Sequence, residues 1–378
     1  MIFARLAAAV LLSLALAASA QATAPPGVDQ SAVMGERPPD LLSAYRFFRD
    51  PGARQPNAGV TLYDLNTPLY SDGALKFRYL YLPSGTQARY SATDTFDFPV
   101  GAVLIKTFAF AEDMRRPEEN VRYLETRLLI HRAEGWIALA YVWNAEQTEA
   151  RLSPIGADIP VSFTDTDGAA AQLEWAVPNR NQCAGCHARE GHNAVLPLGP
   201  TARNLNRDVE YPDYAVSGGH ATVTVHAGAA NQLSTWKMRG MLAGFDTGPD
   251  AAPRMANAYD AASGTLEQRA RAYLQVNCAH CHNPSGPAHT SGLDLRDGDT
   301  VPAEWGVLKR PVAAGRGSAD FDFDISPGHP DRSILIYRME STDPGTMMPE
   351  LGRTRIDQRA IALMREWIAA MGPDGRAR

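Results

Sequence analysis

The four cysteines of the chain fall in two segments of the same pattern. The first motif is Cys183-Ala184-Gly185-Cys186-His187, and the second motif is Cys278-Ala279-His280-Cys281-His282. Two cysteines separated by two residues, with a histidine directly after the second, form the attachment pattern of c-type haem. Each thiol can add to one vinyl group of the porphyrin, and the adjacent histidine then binds the iron as an axial ligand. The sequence therefore predicts two covalently bound haem c groups, with His187 and His282 as iron ligands.

Other uses of close cysteine pairs fit the sequence less well. A four-cysteine zinc site usually separates its two pairs by about 15–20 residues, whereas roughly 90 residues lie between the two motifs. A thioredoxin-like dithiol site expects a βαβ context, which neither motif has. Disulfides are common in exported proteins, but they do not require the histidine that follows each pair. Haem attachment accounts for both cysteines and for the histidine of each motif.

The N-terminus predicts export. Arg5 is the only charged residue before an apolar run from Leu6 to Ala18, and Ala18-Ser19-Ala20 fits a small-residue cleavage site. The run is too short to span a bilayer as a helix, and no later stretch is apolar enough to do so. We expect residues 1–20 to be a signal peptide, with a retained anchor as the alternative, and residues 21–40 to be a flexible leader. The mature chain is then periplasmic and has no membrane span.

The charge balance narrows the class of partner. Cleavage after residue 20 lowers Lys+Arg from 36 to 35 against 42 Asp+Glu, so the net charge changes from −6 to −7. A mildly acidic surface argues against binding to nucleic acid or to an anionic membrane. We therefore expect periplasmic redox proteins as partners, and the sequence leaves the oligomeric state open.

Residues 41–180 have the pattern of a β-rich module. Segments rich in β-branched and aromatic residues recur at 77–81, 103–110, 124–130 and 136–143, with polar turns between them. Short strands at such spacing are typical of an antiparallel sandwich or a partly closed barrel. Residues 181–263 are rich in loops, carry the first motif and include one predicted helix from Asn231 to Leu242. This arrangement predicts that the first haem is mounted at the edge of the β-rich module.

Residues 264–372 have the pattern of a small helical domain. Thr265-Leu266-Glu267-Gln268 is a capping box, and the helix that follows runs into the second motif. Asp357 can cap a last helix, whose apolar stripe includes Trp367 and which ends before Gly372-Pro373. Packing of these two helices at Tyr273 and Trp367 is the frame of a class I cytochrome c. The expected fold is therefore α+β multidomain, with a β-rich, sandwich-like N-terminal module and a C-terminal all-α class I cytochrome c-like domain.

The second haem also needs an axial ligand on its other side or an open position. Thr346-Met347-Met348-Pro349 lies before the last helix, and Met/His ligation raises the reduction potential of haem iron. A residue before proline is held in an extended conformation, where neighbouring side chains point to opposite faces. Only one of the two methionines should therefore reach the iron, and we expect Met348. The alternatives are Met347 or a core-filling role for both.

The second ligand of the first haem is left undecided by the sequence. Its candidates are His192, His220, His226, Met238, Met241, His131 or no residue at all. We interpret His289 and His329 as solvated loop histidines, and His280 as a tolerated residue inside the motif. Four charged residues elsewhere also invite an acid/base assignment: Glu125, Arg127, Asp322 and Asp324. Charges at alternating strand and loop positions usually form solvated faces, so we assign no catalytic carboxylate.

The chain resembles an uncharacterised family of dihaem c-type cytochromes from Gram-negative bacteria over residues 45–371. The segments that carry the resemblance, besides the two motifs, are Phe98-Pro99-Val100-Gly101, Lys106-Thr107-Phe108, Glu125-Thr126-Arg127-Leu128-Leu129, Tyr141-Val142-Trp143-Asn144, Pro178-Asn179 with Asn181-Gln182, Leu198-Gly199-Pro200, Leu205-Asn206-Arg207, Asn231-Gln232-Leu233 and Ser291-Gly292-Leu293-Asp294-Leu295-Arg296. The last hundred residues are also similar to class I cytochrome c domains more widely. The resemblance implies covalent haem at both motifs and a periplasmic location, but no particular substrate.

These observations favour one-electron transfer between a periplasmic donor enzyme and another redox carrier. An electron carrier fits better than a catalytic enzyme, and we assign no catalytic residue. Two alternatives stay open. One is a redox enzyme, such as a dihaem peroxidase, in which the first haem keeps an open position. The other is the electron-transfer subunit of a larger oxidoreductase.

Overall fold

The structure is a computed structural model that describes residues 27–50, 55–189, 192–211, 214–218, 221–225, 228–298, 301–312 and 314–377. The predicted signal peptide and the first part of the predicted leader lie outside these residues. None of the helices in these ranges is both long and apolar enough to cross a membrane.

The strands, in chain order, are β1 (Phe48–Asp50), β2 (Gln55–Pro56), β3 (Val60–Tyr63), β4 (Leu75–Tyr81), β5 (Ala88–Arg89), β6 (Val103–Ala111), β7 (Val121–Arg132), β8 (Gly135–Trp143), β9 (Ala150–Leu152), β10 (Ala157–Thr164), β11 (Ala170–Val177), β12 (Ala188–Arg189), β13 (His192–Val195), β14 (Asp208–Tyr211), β15 (Tyr214–Gly218), β16 (Ala221–Val225), β17 (Gly228–Asn231) and β18 (Leu242–Ala243).

The described residues form fewer helices than strands. The α-helices are α1 (Gln30–Met34), α2 (Arg180–His187), α3 (Ala202–Leu205), α4 (Gln232–Met238), α5 (Leu266–Asn277), α6 (Ile334–Met339) and α7 (Gln358–Ala369). Short 3-10 helices lie at Leu42–Tyr45, Ala261–Ser263, His289–Ser291, Pro302–Trp305, Gly315–Ser318 and Pro330–Arg332. Helix α4 is capped by the Asn231 side chain, which accepts hydrogen bonds from two backbone N–H groups, as the predicted start of this helix requires.

One antiparallel sheet of eight strands organises the described chain. Its strand order is β12-β13-β8-β7-β6-β4-β3, and β9 pairs with another part of β8. Strands β4, β6, β7 and β8 are the long central members, and each pairs antiparallel with the next. Side chains alternate between the two faces along each strand, so one face carries Val103 and Ile105 and the other carries Leu104 and Lys106. We call the face that carries Lys106 the cavity face.

The first face of the sheet is covered by the N-terminal segment rather than by a second sheet. Its buried cluster includes Ile105 and Ile130 from the sheet together with Val33, Tyr45 and Phe47 from the segment before β2. Val33 belongs to α1 and is fully buried. The described part of the predicted leader is therefore helical and packed, which differs from the flexible leader expected from composition.

The cavity face is covered in three parts. At one end, Leu104 packs with Leu205 and Trp236 from α3 and α4. At the other end, Phe108 packs with Trp175 from the hairpin of β10 and β11. Between these two clusters the sheet borders a cavity. The expected sandwich-like module is wrong, because helices, one hairpin and a cavity cover this face where a sandwich would place a second sheet.

The expected all-α C-terminal domain is also wrong. Between α5 and α7 the chain forms only α6 and four 3-10 turns in its described part, with long irregular segments between them. This stretch contains closely spaced prolines and glycines, among them Pro284, Gly286, Pro287, Gly292 and Gly298, which interrupt helices. The helical pattern at the two ends of the region therefore does not extend through its middle.

The two terminal helices of this region do form as predicted. The Thr265 side chain accepts from the Gln268 backbone, and the Gln268 side chain accepts from the Thr265 backbone, so the capping box is confirmed. The Asp357 side chain caps α7 by accepting from the backbone N–H of Ala360. Helices α5 and α7 pack against each other, with Tyr273 and Trp367 in one buried cluster. This packing fixes the end of α5, from which the second motif continues.

Candidate cofactor sites

The first motif lies on α2, directly after strand β11. Asn179 and Gln182 cap this helix reciprocally, because each side-chain oxygen accepts from the backbone N–H of the other residue. Residues three and four apart lie on one face of a helix, so Cys183, Cys186 and His187 point to the same side. The three side chains are half-buried, and all three line one cavity.

His187 is oriented by the backbone of Leu196, just after β13. The ring Nδ1 lies 2.7 Å from the Leu196 carbonyl oxygen, and the Leu196 N–H donates to the His187 carbonyl at 2.8 Å. A carbonyl only accepts, so Nδ1 carries the proton and Nε2 keeps its lone pair. Burial lowers the pKa of His187 to about 4, against the opposing effect of the Leu196 hydrogen bond, and nearby Lys106 lowers it further. Neutral imidazole with a free Nε2 is the form that binds a metal.

The second motif begins where α5 ends. Cys278 is the C-cap, and its N–H donates to the Leu274 carbonyl. The chain then turns back, and the N–H groups of Cys281 and His282 both bond to the Cys278 carbonyl, at 3.1 and 2.9 Å. Gly286 follows closely, and a Cβ at this position would lie 2.3 Å from the Cys281 carbonyl oxygen. The turn of the motif is therefore compact and admits no side chain at residue 286.

His282 is oriented by a serine rather than by a carbonyl. Its Nδ1 lies 2.9 Å from Ser291 Oγ, which itself donates to the Ala288 carbonyl at 2.7 Å. Because the hydroxyl proton of Ser291 is used there, the ring Nδ1–H is the donor to Ser291. Burial lowers the pKa of His282 to about 4, and Arg338 and His280 lower it further. This imidazole is also neutral and keeps its Nε2 lone pair.

His282 and Met348 line the same cavity, together with Cys278. We call it the small cavity; its volume is about 100 Å³. Its other walls are mainly apolar and include Leu295, Trp305, Ile325, Ile334 and Met339. The volume is below the roughly 300–1,000 Å³ of sites that enclose a whole ligand, so a porphyrin bound here would lie partly at the surface. Met347 is not part of the lining, and Met348 as the iron ligand stays a prediction.

Backbone contacts hold Met348 in place. Its N–H donates to the Arg338 carbonyl at 3.0 Å, and its carbonyl accepts from Arg353 at 2.8 Å. A few residues later, the buried carboxylate of Asp72 accepts from the N–H groups of Thr354 and Arg355, both at 2.7 Å. The segment that carries Met348 is thereby fixed to the sheet module as well as to α6.

The first motif borders a much larger cavity, of about 720 Å³, which we call the large cavity. Its floor is the cavity face of the sheet. Arg78, Lys106 and Arg127 lie directly opposite one another on β4, β6 and β7, and all three line the cavity. We call these three residues the cationic row. Pro349 lines both the large and the small cavity, so the two motifs face neighbouring spaces that share a wall.

The members of the cationic row differ in their partners. Arg78 pairs with Asp64 at 3.1 Å, and Arg127 pairs with Glu125 at 2.5 Å. The Lys106 ammonium lies 4.7 Å from the centre of the Phe108 ring and forms no ion pair with any residue that the structure describes. Burial lowers the pKa of Lys106, and the neighbouring Arg78 lowers it further. The row can therefore accept the carboxylates of a bound anion, such as the propionates of a porphyrin.

The interpretation of Glu125 as part of a solvated face is wrong. Its side chain is fully buried, and it accepts from Arg127 at 2.5 and 2.9 Å and from Trp175 Nε1 at 2.8 Å. The hairpin of β10 and β11 covers this position and removes it from solvent. Asp322 is largely exposed, whereas Asp324 is half-buried and lies 3.4 Å from Lys309. These contacts are ion pairs within the chain.

The four thiols are free and half-buried. Burial raises the pKa of Cys278 to about 12, with a smaller contribution from Cys281. Burial also raises the pKa of Cys281 to about 12, followed by the effects of Cys186 and Glu350. Burial raises the pKa values of Cys183 and Cys186 as well. The effect of Cys186 on the pKa of Cys281 indicates that the two motifs lie close together, although they are far apart in the chain.

The described candidates for the second ligand of the first haem do not face the large cavity. The His131 ring stacks on Trp136 and its Nδ1 bonds to the Phe98 carbonyl at 2.8 Å. Met238 is 54% exposed on α4, and Met241 packs beside the Trp236 cluster. The His192 side chain, His220 and His226 lie outside the described residues. His289 bonds to the Gly286 carbonyl, and His329 is exposed in its turn.

Sequence reasoning missed two residues that do line the large cavity. Lys106 entered the analysis only as part of a resemblance, and His280 only as a tolerated position inside the second motif. Neither has a spacing that marks it, because Lys106 is placed by strand register and His280 by the approach of the second motif to the first. The one signal in the sequence was the position of Lys106, a charged residue in the centre of an otherwise apolar predicted strand.

Both thiols and the histidine of the first motif line the large cavity, as a covalent haem requires, whereas Cys278 and His282 of the second motif line the small cavity and Cys281 lines neither. Each motif supplies two thiols and one neutral imidazole, and the porphyrin itself supplies four nitrogens to the iron, so the chain needs to add only axial ligands. In the described ranges, no group of three or more histidine, cysteine, aspartate or glutamate side chains is arranged to hold a metal ion by itself. Comparisons with protein-family profiles, with curated proteins and with solved structures find no match to this chain.

Proposed function

We propose that this chain is a periplasmic dihaem c-type cytochrome that transfers single electrons between a donor enzyme and another redox carrier. The observation that carries the proposal is the common lining of the small cavity by His282 and Met348, next to Cys278. A thioether and a neutral imidazole in one apolar cleft are the axial pair of a high-potential haem. The proposal includes membership of the family of Gram-negative dihaem cytochromes that the sequence resembles.

At the second motif, Cys278 and Cys281 would attach the porphyrin, and His282 and Met348 would bind its iron. The role of Ser291 is to hold the His282 ring by accepting its Nδ1–H. Hydrogen bonding of the outer ring nitrogen fixes the orientation of a metal-binding histidine and raises its basicity. The apolar walls exclude water, which disfavours the more highly charged ferric state and supports a high potential.

At the first motif, Cys183 and Cys186 would attach the porphyrin, and His187 would bind its iron. The Leu196 carbonyl holds the His187 ring in the same way as Ser291 holds His282. The cationic row gives the large cavity positive charge opposite the motif, and it would offset the propionates. Bound haem iron would supply the one-electron couple at each site, while the chain fixes its ligands, charge and access to water.

The shared wall of the two cavities supports electron relay between the sites. Pro349 borders both cavities, and Leu351, two residues further, lies 3.6 Å from the position that a Cβ on Gly185 would occupy. The segment after Met348 therefore lies against the first motif. Electrons entering at one haem would pass to the other inside one chain, without a step through bulk solvent.

The test begins with the full chain, exported in a host that attaches c-type haem, followed by haem quantification and visible spectra. Two covalent haems per chain are expected. The double variant Cys183→Ala/Cys186→Ala should retain one, and Cys278→Ala/Cys281→Ala should retain the other. A protein that is exported and folded under haem-replete conditions, yet holds no covalent haem, would contradict the proposal.

The size and charge of the large cavity favour one second candidate, a redox enzyme whose first haem keeps an open position for a small anionic substrate. Such an enzyme would contain one high-spin haem that binds carbon monoxide or reacts with peroxide. Two six-coordinate, low-spin haems that leave carbon monoxide unbound would exclude it and support the carrier.

A further inference from the structure

His280 belongs to the second motif but faces the space of the first. It lines the large cavity together with Cys183, Cys186 and His187. It is absent from the lining of the small cavity, which contains its neighbours Cys278 and His282. The compact turn after α5 thus directs side chains of one motif into two different cavities. His280 is the only histidine other than His187 among the described residues that line the large cavity.

The ring of His280 is held with one nitrogen enclosed. Its Nδ1 is enclosed by the protein, and the ring hydrogen-bonds to the backbone of Val276 in α5. A charge on His280 would lower the pKa values of both His187 and His282. The His280 side chain therefore lies near both of these histidines.

We propose that His280 is the second axial ligand of the first haem, so that the attachment motif of one haem also binds the iron of the other. This inference rests on the proposed function, because it assumes haem at both motifs. The first iron would then have His187 on one side and His280 on the other, and the second would have His282 and Met348. One covalent pentapeptide would connect the two irons, which shortens the path for electron relay.

Lys106 is the rival ligand in the same cavity. Its ammonium lies over the Phe108 ring, between Arg78 and Arg127. A carboxylate bound by the flanking arginines would oppose the lowering of the Lys106 pKa by burial and would favour its charged form, so Lys106 is assigned to the propionates. Substitution of each residue in turn therefore distinguishes which of the two binds the iron.

The experiment compares the exported, haem-loaded full chain with His280→Ala and Lys106→Met. The wild type should contain two low-spin haems, one with a His/His pair and one with a His/Met pair in low-temperature EPR and near-infrared magnetic circular dichroism. His280→Ala keeps Cys278, Cys281 and His282, so haem attachment should be unchanged. It should convert half of the total haem to a high-spin form that binds carbon monoxide, and added imidazole should restore the low-spin spectrum.

The controls separate ligation from packing. His289→Ala removes a histidine of the same loop that does not line the large cavity, and its spectrum should equal that of the wild type. His280→Met supplies a different ligand and should keep the first haem low spin with a raised potential. A merely structural role for His280 would give no rescue by imidazole and no shift of potential in His280→Met.

Several results would overturn the inference while the proposed function stands. These are a wild type with one high-spin haem, a His280→Ala variant with two low-spin haems, or a high-spin haem produced by Lys106→Met instead. A wild type without covalent haem would remove the proposed function together with this inference. The haem count of the wild type therefore distinguishes the two failures.

Discussion

Met348 and His282 line one small cavity, although Met348 lies in the loop before α7 and His282 lies in the turn after α5. The packing of α5 on α7 and the hydrogen bonds of Met348 with Arg338 and Arg353 bring the two side chains to the same walls. A soft sulfur and an imidazole nitrogen then face one apolar space. This relationship leads to the first prediction.

Met348→Ala should lower the reduction potential of the second haem, because loss of the thioether removes the ligand that favours ferrous iron. The shift should be a clear fraction of the roughly 0.8 V that axial ligands span. A potentiometric titration measures it, and Met347→Ala is the matched control, since Met347 does not line the cavity. An unchanged potential in Met348→Ala would reject the ligand assignment.

Ser291→Ala should raise the potential of the second haem and destabilise the protein. The His282 Nδ1–H would lose its acceptor, so the imidazole becomes a weaker donor to ferric iron. A buried donor without a partner costs about 1–3 kcal/mol. Redox titration and denaturant unfolding measure the two effects. Ser285→Ala, in the same loop and exposed, should change neither, and an equal effect of both variants would show that the hydrogen bond is irrelevant.

Glu125→Gln should lower the free energy of unfolding by on the order of 2–3 kcal/mol, because Arg127 would keep its charge without a carboxylate. The figure is below the loss for a fully buried pair, since the Arg127 side chain is 32% exposed. Chemical denaturation of the wild type and the variant measures it. Glu174→Gln on the exposed side of β11 is the control, and a loss no larger than that of the control would argue against the buried pair as a structural contact.

The lowered pKa of Lys76 predicts that the stability of the folded chain depends on pH. Burial, followed by Arg78 and Arg127, lowers the pKa of Lys76 from 10.5 to about 7 in the folded chain. Between pH 7 and 10.5 the unfolded chain therefore binds more protons at this group, so its contribution to stability rises with pH across that window. Lys76→Met should be more stable than the wild type near pH 7, and this difference should shrink toward pH 10.

The measurement for Lys76 is the free energy of unfolding at several pH values for both proteins. Lys237→Met is the control, because the Lys237 side chain is 50% exposed, and its difference from the wild type should not depend on pH in this window. A difference for Lys76→Met that stays constant from pH 7 to 10 would contradict the lowered pKa.

Asp357→Ala should destabilise the chain by about 0.5–2 kcal/mol, the usual cost of losing an N-cap. The carboxylate accepts from the Ala360 N–H at 3.0 Å and from the Tyr259 hydroxyl at 2.5 Å, so a value near the upper limit is expected. Thermal or chemical unfolding provides the comparison with Asp250→Ala, an exposed position. Equal stability of the two variants would mean that the cap contributes nothing.

The sequence was sufficient for features that depend on nearby residues. The capping box at Thr265, the cap at Asp357 and the helix that leads into the second motif follow from side chains three or four residues apart. The alternation of apolar residues likewise predicted the strands of the main sheet. Local hydrogen bonds and periodicity fix these elements, so a single sequence contains the information.

The sequence did not predict how the strands and helices are layered. A sandwich and a single sheet have the same alternation along each strand, and only the covering of the second face separates them. Here α3, α4 and the hairpin of β10 and β11 occupy that face. The helical ends of residues 264–372 similarly gave no information about the irregular chain between them, where prolines and glycines prevent helix formation.

The sequence by itself determined which groups each motif offers, namely two thiols and a histidine at fixed spacing. It also predicted that only one of Met347 and Met348 can reach the iron, because proline holds the residue before it in an extended conformation. Only the tertiary structure decided which distant side chains share a cavity. Lys106 faces the first motif through strand register, and His280 faces it through the approach of two segments that are far apart in the chain. Such neighbours are set by the packing of the whole chain, which no local pattern records.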